Sequence, residues 1–239
     1  MRSLVLLLLP VVLAAREVRL LRVDAPEGAP SRLFVIRGES AVAMDLPRLL
    51  PSTSRLQVGP EAARLQLALE KPSRERPLPA DAPAVDLPAG TDDLLVVLVP
   101  REGPGVLSVH AFPVAVPDDP ARIGSFLWMN LSDRTLLVRF GATLAPVPPA
   151  QGRAVLPPVA PGVAFPVHVD LAPRREGEVA QPMVRATWMR HESGRQLMFV
   201  LPDAEREVPR IVSVPDVAPP ASAKPAPAGR PGAAPSPGR

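Results

Sequence analysis

The chain contains no cysteine and no tyrosine, and its aromatic residues are limited to six Phe and two Trp among 239 residues. The absence of cysteine excludes disulfide bonds and a lipid-attachment cysteine, so burial alone must hold the folded chain together. Nucleic-acid binding normally needs a basic stripe and aromatic residues that stack on bases, and neither is present. We therefore expect no nucleic-acid partner.

Charge is also scarce once the ends of the chain are set aside. The formal net charge is +3, and the positive excess comes from Arg2 and from residues 215–239. Residues 16–214 are therefore close to neutral. The pI near 10.4 follows from the lack of Tyr and Cys and from the predominance of Arg among the basic residues, so it does not by itself indicate a basic protein.

The first residues have the pattern of an export signal. Arg2 gives a positive start, residues 4–13 are apolar, and Val12 and Ala14 are small enough for the −3 and −1 positions of a cleavage site. A retained membrane anchor would need about 18 apolar residues, and Arg16 ends the run earlier. We predict a removed signal peptide in residues 1–15, a periplasmic or secreted location, and no stable membrane span after cleavage.

Proline is abundant, with 35 residues, and it confines regular structure to short segments because it lacks a backbone donor. The segments between prolines are rich in Val, Leu and Phe, which favours strands. In the first half, strands are predicted at residues 17–23, 32–37, 41–46, 94–99 and 106–112. In the second half, they are predicted at residues 125–131, 135–140, 165–171, 183–190, 196–201 and 210–214.

Residues 61–70 test this interpretation because their composition favours a helix. Leu65, Leu67 and Leu69 nevertheless alternate with Gln66 and Ala68, which is the period of a strand. We predict a strand here.

The two halves of the chain resemble each other, which indicates a duplicated module. Residues 33–35 match residues 127–129 at an offset of 94, and this match places Gly38 opposite Ser132. Residues 94–100 match residues 196–202 at an offset of 102. The second copy is longer in its proline-rich middle loop.

About seven short strands in each copy indicate an all-β fold of two tandem antiparallel, immunoglobulin-like β-sandwich modules. The predicted boundaries are 16–116 for module 1, 117–122 for a linker and 123–216 for module 2. Residues 72–90 and 145–166 are predicted to be long loops. Residues 217–239 consist mainly of Pro, Ala and Gly, so we predict a disordered proline-rich tail.

Three sequence strings carry a family resemblance: FLWMNLSDRTLLVRFG, RQLMFVLPD and RIVSVPDVAPP. They resemble uncharacterised secreted bacterial proteins with tandem β-sandwiches, over roughly residues 30–220. A more distant resemblance is to the envelope β-sandwich modules that include the alginate O-acetylation accessory protein. The resemblance implies a non-catalytic role in the cell envelope and carries no catalytic residues.

The residues that could support catalysis or metal binding are few and scattered. His110, His168 and His191 lie in different strands or turns, and a metal site needs three or four converging ligands, so core or half-exposed histidines are favoured. Glu192 and Ser193 follow His191, but neighbours in a turn diverge, and a turn is favoured over a hydrolase site. We also expect Asp92-Asp93 and Asp118-Asp119 to be solvated turn carboxylates, and predict no cofactor and no metal.

The aromatic residues are the remaining candidates for recognition. Trp128 aligns with Phe34 at the offset of 94, which predicts a core position. Trp188 has no counterpart and lies between Arg185 and Arg190. Core packing is favoured for Trp188 as well, but if any surface binds a partner, the sequence points to Trp188, Arg185 and Arg190.

Asn130 is the only asparagine in the chain, and with Ser132 it forms a formal N-glycosylation acceptor. A side-chain turn that closes the preceding strand is the favoured interpretation, because Asn and Ser commonly bond to the backbone two residues away.

Two functions remain open at the level of sequence. The first is a non-catalytic exported envelope protein that scaffolds or binds an unknown envelope protein or polysaccharide. The second is a carbohydrate-modifying or hydrolytic enzyme with a site between the modules, which requires His168 or His191 to meet a carboxylate and a nucleophile. The sequence favours the first.

Overall fold

The computed structural model describes residues 15–24, 28–48, 50–101, 107–116, 123–203 and 206–216. These residues form sixteen strands and no helix. Module 1 contains β1 (Arg16–Arg22), β2 (Arg32–Arg37), β3 (Ser40–Asp45), β4 (Leu56–Val58), β5 (Ala63–Ala68), β6 (Ala84–Leu87), β7 (Leu94–Pro100) and β8 (Val109–Ala115). Module 2 contains β9 (Phe126–Asn130), β10 (Leu136–Phe140), β11 (Thr143–Val147), β12 (Gly152–Val155), β13 (Ala164–Leu171), β14 (Gln181–Met189), β15 (Arg195–Leu201) and β16 (Arg210–Asp216).

The two modules have the same strand order, which confirms the predicted all-β tandem fold. Module 1 consists of inner sheet 1, with the order β4-β1-β7-β8, and outer sheet 1, with the order β3-β2-β5-β6. Module 2 repeats this plan as inner sheet 2, β12-β9-β15-β16, and outer sheet 2, β11-β10-β13-β14. Neighbouring strands are antiparallel except for one parallel pair in each inner sheet, β1 with β7 and β9 with β15.

The strand order corrects the alignment of the N-terminal parts of the two copies. Since β1 and β9 both pair in parallel with the seventh strand of their module, Trp128 corresponds to Leu20 and not to Phe34. Gly38 likewise corresponds to Gly141, because each begins the two-residue turn between the second and third strands of its module with a positive φ, 56° and 58°. The offset of 94 matched a strand of one sheet to a strand of the other. The offset of 102 for β7 and β15 agrees with the pairing.

The prediction of long loops at residues 72–90 and 145–166 was wrong in part, because short strands form in both proline-rich segments. β6 lies within residues 72–90, and most of β11 and all of β12 lie within residues 145–166. These strands are short edge strands, where proline is tolerated, and β12 buries only Val155. β4 was also missed, whereas β5 confirms the strand predicted over residues 61–70.

Each sandwich encloses an apolar core between its inner and outer sheets. In module 1 the core includes Leu20, Val96 and Leu67. In module 2 Trp128, which is fully buried as predicted, packs in the corresponding core.

A third apolar cluster joins the two modules. It contains residues from the other face of both inner sheets: Leu21, Val23, Leu95, Val97, Val114 and Val116 from module 1, and Leu127, Met129, Leu197, Phe199, Leu201 and Val214 from module 2. The inner sheets are therefore buried on both faces, and the protein has four layers with the outer sheets outermost.

Several predictions fall on residues outside the described part of the chain. These are the bulk of the signal peptide (1–14), the linker (117–122) with Asp118-Asp119, and the tail (217–239). The module boundaries therefore stay predictions.

Candidate binding face

Trp188 is half-buried and packs against the core of module 2. Residues along β14 alternate between exposed and half-buried, and Trp188 is on the half-buried side. Its ring stacks on Phe126 at 5.5 Å and on Trp128 at 6.0 Å between centroids. Phe140 meets it edge-on at 6.5 Å. Trp188 therefore belongs to the core, as the sequence favoured.

The three residues predicted as a partner surface do not lie on one surface. Arg185 is on the exposed side of β14, where its Nη2 contacts Asp170 at 2.5 Å. Arg190 lies beyond the end of the strand and donates to the carbonyl oxygens of Val159 at 2.5 Å and Ile123 at 3.3 Å. Since positions 185 and 188 project to opposite faces of a strand, the structure separates Arg185 from Trp188.

All three histidines are exposed, which corrects the expectation of core or half-exposed positions. His168 occupies an outward position of β13, whereas His110 is exposed near the start of the edge strand β8. His191 follows β14, and its Nε2 lies 2.9 Å from Nε2 of Gln196.

The segment after His191 is a turn, as predicted, but it does not close a hairpin. It connects β14 of outer sheet 2 to β15 of inner sheet 2, so it crosses between the two layers.

Asn130 is fully buried, and its side chain fastens the loop between β9 and β10. Nδ2 donates to the carbonyl oxygens of Arg134 at 2.7 Å and Val147 at 2.9 Å. Oδ1 accepts from the backbone N–H of Ser132 at 3.1 Å and from its hydroxyl at 2.7 Å. This confirms the side-chain turn. A glycan requires an exposed amide, and this amide is enclosed.

The space between the modules is filled by apolar side chains and flanked by ion pairs. Asp216 in β16 is 3% exposed and contacts Arg195 Nε at 2.8 Å within its own module. Its other carboxylate oxygen lies 3.3 Å from Arg19 Nη1 of module 1. Arg210 donates to Asp24 across the same boundary, and this hydrogen bond raises the pKa of Arg210 further despite its partial burial. These contacts fasten the two modules together.

A row of basic residues crosses the exposed face of outer sheet 2. Arg139 in β10 is directly paired with His168 in β13, and His168 is directly paired with Arg185 in β14. All three side chains are exposed. Directly paired residues on neighbouring strands have Cβ atoms about 4.5–5.5 Å apart. We name these three residues the basic row.

Aliphatic side chains flank the basic row. Leu144 in β11 is paired with Arg139 and continues the row to the sheet edge, with 47% of its surface exposed. Met189, on the same face near the end of β14, is 61% exposed. The face therefore combines positive charge with apolar surface.

The basic row has no counterpart in module 1. The equivalent positions of outer sheet 1 are directly paired in the same order and carry Ile36, Gln66 and Ala84, with Ala41 in place of the edge leucine. The fold therefore does not require basic residues there. Arg139 and His168 were not predicted as part of a binding face, because the sequence does not give the strand register that brings them beside Arg185. Each nevertheless occupies a polar position of a predicted strand.

Two cavities lie at equivalent ends of the modules, each between the loop from the fifth to the sixth strand and the hairpin of the seventh and eighth strands. The cavity of module 1, about 490 Å³, is mainly apolar, with Leu69, Leu78 and Leu107 among its lining residues. The cavity of module 2, about 630 Å³, is lined by charged residues such as Arg174 and Glu207. The modules thus differ at this end as well.

No protein-family model matches the chain, and no curated protein is significantly similar to it. Within the described part of the chain, no group of three or more His, Asp or Glu residues could hold a metal ion. The same residues include no helix that is long and apolar enough to cross a membrane.

Proposed function

We propose that this chain is an exported, non-catalytic envelope protein that scaffolds or binds a protein or polysaccharide partner through its outer sheets. One observation carries the proposal: the inner sheets of the two modules bury their second faces against each other. Among the described residues, the second faces of the outer sheets belong to no apolar cluster. Flat, rigid faces of this kind suit binding, because they present side chains in fixed positions without enclosing a substrate.

The packing between the modules disfavours the alternative enzyme. A site between the modules would need polar groups that converge around an open space, but this boundary holds twelve buried apolar side chains. The proposal also includes the periplasmic or secreted location indicated by the signal-like start of the chain.

Site-specific photo-crosslinking in the native envelope tests the proposal. A photoreactive residue is introduced at exposed Thr187 of outer sheet 2, at exposed Asp86 of outer sheet 1, or at exposed Gln57 of the edge strand β4 as control. We expect one reproducible adduct from position 187 or 86 and none from position 57. Adducts only from position 57, or none from any position, would contradict the proposal.

A further inference from the structure

The charge of the basic row is only partly balanced within its own sheet. Arg139 has no ion-pair partner among the described residues, so its charge is not balanced within the sheet. Arg185 is balanced on one side by Asp170, yet its side chain remains 48% exposed. The exposed guanidinium of Arg139 therefore remains available to a ligand, beside the partly engaged guanidinium of Arg185.

The duplication provides an internal reference for this face. Outer sheet 1 has the same strands in the same register, and it carries neutral residues at all three equivalent positions. A basic residue at all three positions in one copy only is therefore a property of module 2 and not of the fold.

We propose that the exposed face of outer sheet 2 binds an anionic polysaccharide along the basic row, an inference that rests on the proposed function. Neighbouring strands are about 4.8 Å apart, so the row from Arg139 to Arg185 spans about 10 Å and the four-strand line from Leu144 about 14 Å. Arginine recognises carboxylate and sulfate groups with two parallel hydrogen bonds, which suits acidic groups spaced along a chain. Arg185 donates from Nη2 to Asp170 and from Nη1 to the backbone carbonyl oxygens of Val184 and Val169, and its side chain remains 48% exposed.

The neighbours of the row favour a sugar chain over a nucleic acid. Leu144 and Met189 provide aliphatic surface on which the C–H faces of sugar rings can pack. Single-stranded nucleic acids bind by stacking on aromatic residues. The outward positions of β10, β11, β13 and β14 carry no Phe, Tyr or Trp.

Direct binding to defined polymers tests the inference. The purified full chain is titrated with polygalacturonate, dextran sulfate and neutral dextran, and affinity is measured by calorimetry at two salt concentrations. We expect binding to at least one anionic polymer, weakened by salt, and none to neutral dextran. The variant Arg139→Gln/His168→Gln/Arg185→Gln is expected to lose affinity at least tenfold. All three side chains are exposed, so this variant should keep its unfolding temperature.

A matched control removes the same formal charge elsewhere. Arg37→Gln/Arg64→Gln takes two exposed arginines from module 1 and should bind within twofold of the unmodified protein. Equal loss in both variants, or no binding to either anionic polymer, would overturn the inference. Binding to phosphatidylglycerol vesicles that depends on the basic row, without polymer binding, would overturn it too. A protein adduct from position 187 alongside these failures would leave the proposed function standing.

Discussion

Single buried polar residues perform the same task at equivalent positions of the two modules. Asn130 and Arg22 each end the first strand of a module, and each donates to a carbonyl of the following loop. Their chemistry differs, since one is a neutral amide and the other a guanidinium, whose pKa burial and the nearby Arg48 charge both lower. Both residues thus supply a donor that reaches the following loop.

We expect Asp45 to make the free energy of unfolding decrease at acidic pH. Burial tends to raise its pKa, but hydrogen bonds from Ser54 and Thr53 outweigh this effect and lower it. A lowered carboxyl pKa contributes stability above the unfolded value, near 3.9, and this contribution is lost as the pH falls through the folded pKa. We expect Asp45→Asn to cost about 1–2 kcal/mol at pH 7.

Urea denaturation from pH 2.5 to pH 7 measures this effect. The difference between Asp45→Asn and the unmodified protein should shrink below about pH 4. Asp86→Asn, at an exposed carboxylate of outer sheet 1, should show little effect at any pH. A difference for Asp45→Asn that stays constant across the range would contradict the assignment.

Trp188 should contribute to stability through its stacked neighbours. It contacts Phe126 and Trp128, so Trp188→Ala is expected to lower the free energy of unfolding by about 3 kcal/mol, whereas Trp188→Phe should lose much less. Denaturant titration followed by circular dichroism measures both variants. An unchanged midpoint for Trp188→Ala would show that the ring does not support the core.

At the scale of elements, the hairpin turn after β10 needs its glycine for conformation alone. Gly141 has a φ of 58°, and a Cβ atom there would meet nothing within 4 Å. We therefore expect Gly141→Ala to cost about 1–2 kcal/mol from the left-handed backbone. Ala150 also has a positive φ, 57°, but it carries a Cβ atom. In Ala150→Gly, relief of backbone strain in the folded state should roughly offset the greater conformational entropy that glycine gives the unfolded chain. Thermal unfolding distinguishes the two, and an equal loss in both would contradict this explanation.

Strands with a clear pattern could be predicted from the sequence, and strands without one could not. β2 was predicted at its observed bounds because residues 32–37 are apolar between charged ends. β12 has only Val155 to bury, so no periodicity marks it. The face that carries the basic row could not be predicted either. Its residues are separated by at least 17 positions in sequence, and only the register of three strands brings them together.

At the scale of the whole molecule, two continuous apolar runs in the sequence correspond to the packing between the modules, although the strand predictions did not use them. Residues 94–98 are an unbroken apolar run, and all five are buried. A strand exposed on one face would alternate, whereas a strand buried on both faces reads as a continuous apolar run. The same holds for residues 197–201 in β15. These two central strands therefore indicated a third apolar layer between the sandwiches.

Because the inner sheets share this layer, the two modules should unfold together. Asp216 is the buried carboxylate between Arg195 and Arg19, and removing one partner of a buried ion pair costs about 3–5 kcal/mol. Asp216→Asn should therefore lower the unfolding temperature by roughly 6–20 °C. Calorimetry of the unmodified protein should show one transition. Asp86→Asn, from an exposed pair, is the control. Two separate transitions in the unmodified protein, with neither moved by Asp216→Asn, would mean that the modules are independent and that the apolar layer does not join them.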